Sequence, residues 1–346
     1  MLKDYFLPAP KNSGFRMEGY YIWCGSVVKG DDSKYYMFAS RVPKTQDFHP
    51  GWLLLSEIVR AVSDTPWGPF EFQEVVMTDR GGQFWDGRMV HNPRIIPYEG
   101  KFLLYYVGTT FAFPVPDDER ILHEDPRTMT ARANKRVGIA ISDSITGKFE
   151  RLDSPILQTR PHFYDNLLTS NPSPLVEEDG SVLVMYKSRH YNAKPYKNPT
   201  HSNMEFGLAR AKTAYSEYER LTDTPMFPPE VHLEDPFIWR DKNGYCMLAK
   251  DMEGNLSQVK GEGIYATSQN ALDWEIQKGE SAYTKIVTWD DGTTSYYGNM
   301  ERPCLLFEDG VATCAYFAVS NGAHDVKGVT ETFNLAIPLK PGITSL

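Results

Sequence analysis

Two carboxylates, Glu234 and Asp235, stand directly before a proline and an apolar run in HLEDPFIWRDKNGYCMLAK, residues 232 to 250. Glu301 and Arg302 take the same place in GNMERP, and Asp86 lies in GQFWDGRMVHNP just ahead of His91 and Asn92. Acidic side chains drawn from distant parts of a chain suit glycosidic chemistry. One protonated carboxyl gives a proton to the leaving oxygen, while a second carboxylate activates water or attacks the sugar itself. A neighbouring negative charge raises the pKa of the acid and keeps it protonated. This chemistry requires the carboxylates to converge on one cavity, so the question passes to the elements that carry them.

Those elements repeat. HNPRIIPYEGKFLLYYVG from His91, SNPSPLVEEDGSVLVMYKSR from Ser170 and ERPCLLFEDGVATCAYFAVS from Glu301 share one pattern with the stretch around Glu234. Each reads polar pair, Pro, short apolar strand, tight turn, second apolar strand. CGSVVKGDDSKYYMFASR from Cys24 matches without the proline. The anchors Ser26, Pro93, Pro172, Pro236 and Pro303 are spaced by 67, 79, 64 and 67 residues. A second signature follows the first four units: a short strand ending in small polar residues, then an aromatic–Glu pair. The pairs are Phe70–Glu71, Phe149–Glu150, Tyr218–Glu219 and Trp274–Glu275. Five units of about four strands each, with little helical periodicity, predict an all-β, five-bladed β-propeller over residues 1–346, with four-stranded antiparallel blades and a central funnel. A β-sandwich would not repeat two independent signatures in one order. Closure would fall to the N-terminal segment completing the last blade.

Antiparallel strands place the connection between strands two and three beside the start of strand one. The turns between strands one and two are tight. The next connections are long: VPKTQDFHPGW, TFAFPVPDDERILHEDPRTMTARANKR and HYNAKPYKNPTHSNM in the first three units. Function sits on such built-up faces. The polar residues before each anchor open onto the same face. They are Gly25, Asn92, Asn171, Asp235 and Arg302, preceded by Cys24, His91, Ser170, Glu234 and Glu301. Strict alternation along a strand would stop Glu234 and Asp235 from both pointing inward unless the strand begins irregularly.

Composition narrows the partners. A formal net charge of −9 argues against nucleic acid and against an anionic membrane surface. Aromatic residues are abundant, with 20 Tyr, 18 Phe and 7 Trp, which suits strands and sugar-stacking surfaces. The four cysteines, Cys24, Cys246, Cys304 and Cys314, lack metal-ligand spacing and read as buried free thiols in preference to a disulfide pair. MLKDYFLPAP has no signal-peptide core, and no apolar run reaches the roughly 20 residues of a membrane span. The chain as given reads as cytoplasmic, or as periplasmic or secreted if a signal was removed.

The blade repeats and the E-D-P of Glu234–Pro236 resemble the five-bladed propeller glycoside hydrolases, the superfamily of families 43, 62, 32, 68, 117 and 130. The resemblance covers most of the chain. Family 43 carries an Asp at the start of blade one, an Asp mid-chain and a general-acid Glu in E-G-P. The resemblance therefore implies Glu234 as the general acid, with Asp235 where the family has Gly. Two departures follow. IWCGSVV has no Asp in blade one, and TSNPSPL has Asn171 where an Asp is expected. Asp86 and Glu301 are the replacements favoured here as partners of Glu234 or Asp235, with Asp165 in FYDNLLTSNP a further option.

Trp23 and Trp85 would stack on sugar faces. Arg41, Arg189 and Lys250 end second strands and return to the same rim, near His91 and His190. With Asn92, Asn171 and Arg302 they form the expected substrate-binding set. The expected function is hydrolysis of a terminal glycosidic bond of an oligosaccharide or small glycoside. Phosphorolysis as in family 130, using cations such as Lys187 and Arg189, and a non-catalytic carbohydrate-binding propeller are the alternatives. No H-E-x-x-H or EF-hand pattern is present. No cofactor or metal ligand is expected, although the resemblance leaves room for a structural Ca²⁺ in the axial channel.

Overall fold

The computed structural model describes residues 1–115, 119–122, 124–192, 201–322 and 328–346. Blade one is β1 (Tyr20–Lys29), β2 (Tyr35–Pro43), β3 (Glu57–Ser63) and β4 (Glu71–Met77). Blade two is β5 (Met89–Tyr98), β6 (Lys101–Thr109), β7 (Arg136–Ser142) and β8 (Glu150–Arg151). Blade three is β9 (Leu168–Val176), β10 (Val182–Arg189), β11 (Glu205–Ala211) and β12 (Glu219–Arg220). Blade four is β13 (Leu233–Asp241), β14 (Gly244–Asp251), β15 (Gly263–Ser268) and β16 (Glu275–Ile276). A small hairpin, β17 (Ile286–Thr288) and β18 (Thr294–Tyr296), leads into blade five, β19 (Asn299–Glu308), β20 (Val311–Ser320) and β21 (Thr332–Pro338). The fourth strands begin at the Glu of each aromatic–Glu pair. Phe70, Phe149 and Tyr218 before them are buried.

Blade five lacks a fourth strand of its own. The N-terminal segment takes that position: Phe15 exchanges backbone hydrogen bonds with Asn334, at 2.8 and 3.1 Å, and Phe6 bridges Leu339. Pairing first residues with last closes the ring non-locally. The inner strands then contact one another in cyclic order, β1 to β5, β9, β13, β19 and back to β1. Apolar side chains from both faces of each blade meet those of the neighbours in five separate cores, one per interface. Burial on both faces explains the near-continuous apolar runs of the central strands. All four cysteines are buried and free, as expected. Among the described residues no helix is long and apolar enough to cross a membrane.

Each inner strand is broken at one equivalent point. The ladder slips at Trp23/Ser26, His91/Arg94, Glu234/Phe237 and Glu301/Cys304, and between Ser173 and Ser170 on β9. At each slip one residue is left-handed: Cys24 (φ 57°), Asn92 (56°), Asn171 (48°), Asp235 (60°) and Arg302 (56°). Proline follows four of them, because a residue with no N–H is tolerated at a bulge. In blade one Gly25 takes the proline's place, so the true anchor is Gly25 and not Ser26. Its N–H donates to Asn334 Oδ1 at 3.0 Å, and a Cβ there would meet the Asn334 amide at 2.8 Å.

The five left-handed side chains form a hydrogen-bonded belt across the axis. Cys24 Sγ donates to Asn92 Oδ1 (2.6 Å), Asn92 Nδ2 to Asn171 Oδ1 (2.9 Å), and Asn171 Nδ2 to Asp235 Oδ1 (2.5 Å). Arg302 Nη1 and its backbone N–H both reach the Asp235 carboxylate, at 3.1 and 3.2 Å. Asp235 and Arg302 are 1% and 2% exposed. Removing one partner of such a pair strands the other charge in the interior. Asp235→Ala should therefore destabilise the protein by about 3–5 kcal/mol in urea unfolding. Combining Asp235→Asn with Arg302→Met, which removes both charges at nearly unchanged volume and keeps an acceptor for Asn171, should recover part of that loss.

Candidate active site

Above the belt lies a cavity of about 200 Å³, lined by residues of all five blades. Its base is Asn92, Asn171, Asp235 and Arg302 of the belt. Its walls include the residues one position earlier, Trp23, His91, Glu234 and Glu301. Strand alternation would have sent these two sets to opposite faces. The left-handed residue at each bulge turns both toward the axis, which resolves the conflict the sequence posed for Glu234 and Asp235.

The two glutamates are placed alike and charged differently. Lys187 Nζ on β10 reaches Glu234 at 2.6 Å, and Lys250 on β14 pairs with Glu301. Each lysine comes from the blade before its carboxylate. One oxygen each of Glu234, Asp235 and Glu301 lie within 4.8 Å of one another. Burial pushes the Glu301 carboxyl up; Lys250 opposes this, but Asp235 and Glu234 add to it, and the result is about 7. Burial also pushes Glu234 up, but Lys187, Lys250 and Arg189 together bring it well below the usual carboxylate range. Two carboxyls in contact thus carry opposite preferences for the proton. Burial alone would weaken the Lys250 ammonium, but Glu301 and Glu234 reverse that and keep it charged. His91 is held neutral, first by burial and then by Arg302 and the lysines; its Nδ1 lies 2.7 Å from Ser56 Oγ.

A roof closes the cavity on the side of blades one and two. The β2–β3 connection forms a short helix, α1 (Phe48–Leu54), and the β6–β7 connection forms α2 (Pro126–Ala133). Asp125 caps α2 by accepting from Arg127 N–H at 2.8 Å, with Pro126 in the first turn. Gln46 ties the loops together, donating to Glu119 O and accepting from Ile121 N. Phe48, His49 and Trp52 of α1 and Arg132 of α2 face the cavity, with Met252 from blade four. Phe48 packs on Trp23 at 4.9 Å between ring centres, and Trp52 lies 5.3 Å from His91. None of these roof residues was singled out from the sequence. The D-P-R of Asp125–Arg127 was a readable helix start, and the loops holding both helices were placed on this face. The third long loop, HYNAKPYKNPTHSNM, lies largely outside the described residues.

Several expected residues lie elsewhere. Asp86 is fully buried away from the cavity, held by Arg80 at 2.6 Å and by Tyr106 Oη at 2.7 Å, with Arg151 at 3.5 Å. Asp165 repeats this arrangement one blade on, with Arg160, Tyr186 and Arg220. Both are staples fixing the loop that enters a blade to the arginine after its aromatic–Glu pair. Trp85 belongs to the first staple: it stacks on Tyr106 at 5.6 Å and fills the space that a Cβ on Gly138 would take. Arg41 pairs with Glu57 at 2.9 Å on the flank of blade one. His190 pairs with Glu205 at 2.8 Å. Arg189 donates to Ser202 O at 2.8 Å and acts on Glu234 only through its charge. Trp23, His91, Asn92, Asn171, Lys250 and Arg302 are where the sequence put them.

The donor set does not suit an axial Ca²⁺. Glu234, Asp235 and Glu301 are each already paired with a cation, and the Arg302 guanidinium stands in the belt. Its Nε and Nη2 have no acceptor among the described residues, so a metal ion there would face bare donors.

Comparison of the sequence with family profiles and with characterised proteins finds no match. Solved structures do match. A family 117 glycoside hydrolase from the marine bacterium Zobellia galactanivorans aligns over 98% of this chain and 90% of its own, with a TM-score of 0.66 and 16% identity. A thermostable family-43 glycoside hydrolase aligns over 99% and 97%, at 0.59 and 13%. An exo-1,5-α-L-arabinanase from a bovine ruminal metagenomic library aligns over 96% and 100%, at 0.55 and 12%. Blade for blade, this chain has the five-bladed propeller fold on which those glycoside hydrolases are built.

Proposed function

We propose that the protein is a glycoside hydrolase that cleaves a terminal glycosidic bond, with Glu301 as the general acid and Glu234 as its ionised partner. The observation that carries this reading is the placement of two glutamates in the wall of one cavity, each with its own lysine, in surroundings that favour opposite proton states. Environments that drive a carboxyl pair apart define an acid and a base. This reverses the role that the E-D-P resemblance implied for Glu234. The cavity volume admits a single sugar ring, which fits exo action.

In the proposed cycle Glu301 protonates the leaving oxygen as its bond to the anomeric carbon breaks. One oxygen of Glu234 and one of Glu301 lie within 4.8 Å of each other, which is nearer the roughly 5 Å separation of retaining enzymes than the wider spacing of inverting ones. Glu234 then attacks the anomeric carbon directly. Once Glu234 is esterified its charge is gone, and one of the influences holding the proton on Glu301 goes with it. Glu301 is then able to take a proton from the water that displaces Glu234. Lys187 and Lys250 hold the two carboxylates in position. Trp23 and Trp52 offer aromatic faces to the ring, and the belt donors line its underside.

Phosphorolysis is a second reading, favoured by the cations beside Glu234. Dependence of turnover on inorganic phosphate, with release of a sugar phosphate, would decide for it.

Two outcomes test the hydrolase. Glu301→Gln should lower kcat by about 10²–10⁴-fold on glycosides with poor leaving groups and much less on dinitrophenyl glycosides, which need no proton. The wild-type rate should fall as pH rises through about 7, where Glu301 loses its proton, and this limb should vanish in the variant. A pH profile that keeps the limb in Glu301→Gln would assign the acid elsewhere. Proton NMR of the first-formed sugar should show the same anomer as the substrate; inversion would mean that water, not Glu234, attacks.

A further inference from the structure

The charges around the cavity do not balance. Glu234, Asp235 and Glu301 each have a cation of their own, Lys187, Arg302 and Lys250, and where Glu301 holds its proton Lys250 adds to the positive excess. Arg132 and Lys135 are left over. Arg132 projects from the last turn of α2 into the cavity, with its guanidinium carbon 5.7 Å from the centre of the Trp52 ring. Among the described residues its side chain has no hydrogen bond and no ion pair. Lys135 follows two residues after the helix. It is 1% exposed, makes one hydrogen bond, to Ser170 Oγ at 3.2 Å, and lies 5.2 Å from the same indole. Burial, and then repulsion from Lys187, Arg132 and Arg189, make its ammonium hard to keep charged. Burial and Arg189 weaken Arg132 in the same sense.

A cation taken from water without a counter-ion costs several kcal/mol. Facing an open cavity, it is compensated when a ligand brings the anion. We infer that the sugar bound here carries a carboxylate, that is, a uronate, and that Arg132 receives it at the roof while Glu234 and Glu301 engage the anomeric centre below. This rests on the hydrolase reading and adds the substrate class to it. The planar guanidinium fork matches a carboxylate through two parallel hydrogen bonds, and a carboxylate bound there would favour the charged form of Lys135 behind it. Inorganic phosphate shares the oxyanion chemistry, but the cations beside Glu234 that would receive it, Lys187 and Lys250, are already engaged by Glu234 and Glu301, whereas Arg132 is not. A uronate carries its charge on an exocyclic carboxyl, across the ring oxygen from the anomeric carbon and clear of the line of attack.

The test uses wild-type protein with Arg132→Gln and Arg132→Lys, each checked for an unchanged melting curve. Substrates are 4-nitrophenyl glucuronides and galacturonides in both anomeric forms, the matching glucosides and galactosides, and the corresponding uronamides, with and without phosphate. Free glucuronate and galacturonate, against glucose and galactose, are titrated calorimetrically. The expected result is uronide kcat/KM at least about 30-fold above the neutral sugars and uronamides, the size of a charge pair completed in a buried site. Arg132→Gln should collapse that ratio and Arg132→Lys should restore part of it. The uronamides need no variant and report the same contact if Arg132→Gln fails to fold. Turnover of neutral glycosides at equal or higher rates would overturn the uronate and leave the hydrolase standing. Phosphate-dependent turnover of a neutral donor would overturn both the uronate and hydrolysis. Arg132-dependent binding of free uronate without any turnover would support the subsite and overturn the hydrolase. The absence of both binding and turnover of uronates would overturn the subsite.

Discussion

A β-strand offers every second side chain to a given face, and five inner strands would give a shared axis only five side chains at any level. The left-handed residue at the start of each inner strand removes that limit. It turns two consecutive side chains toward the axis and stacks them in two layers. The lower layer, Cys24, Asn92, Asn171, Asp235 and Arg302, is spent on itself in a hydrogen-bonded chain across the axis. The upper layer is left to face the cavity. Neighbours in sequence thereby take opposite duties: Asp235 holds the ring and Glu234 faces the cavity, Arg302 holds the ring and Glu301 faces the cavity.

The belt also sets the electrostatics above it. Glu234 and Glu301 stand in the same place on successive blades, and each takes a lysine from the blade before. Symmetry alone would make them equal. The difference comes from what the ring places next. Glu234 has Lys250 and Arg189 in addition to its own lysine, while Glu301 faces the negative charges of Asp235 and Glu234. One repeat, shifted by a blade, thus produces both an ionised carboxylate and a protonated one. Asp235 serves twice, once as the partner of Arg302 and once as a charge that helps keep the proton on Glu301.

Much of this was legible because it is periodic. The five anchors gave the blades, the aromatic–Glu pairs marked the first residue of four outer strands, and the loop lengths named the functional face. What breaks period was misread. Alternation let Glu234 and Asp235 share a cavity only if the strand began irregularly, and only the backbone shows the bulge that makes it so. In blade one the bulge lies one residue before the point that the expected anchor Ser26 implied, because Gly25, packed against Asn334, stands where the other blades have proline. Asp86 looked available because an aspartate in a polar loop gives no sign of its partners; Arg80 and Arg151 lie 6 residues before it and 65 after. The roof escaped notice because its cavity-facing residues, Phe48, Trp52 and Arg132, belong to no repeat.

That division has a physical logic. The repeated parts must agree from blade to blade, or the ring does not close, so they are constrained by packing at five interfaces and by the pairing of Phe15 with Asn334. The Asp86 and Asp165 staples extend the constraint to the loops entering blades two and three, holding the starts of β5 and β9 where the belt needs Asn92 and Asn171. Catalysis by opposed carboxyls depends on such fixed placement, because misplacement by an ångström costs far more than any single contact gains. Recognition has the opposite need. Phe48, Trp52 and Arg132 ride on two connections that close no sheet, so their side chains can differ without disturbing a blade. On the proposed reading, the rigid ring fixes where a bond is broken and the unrepeated roof selects the sugar brought to it.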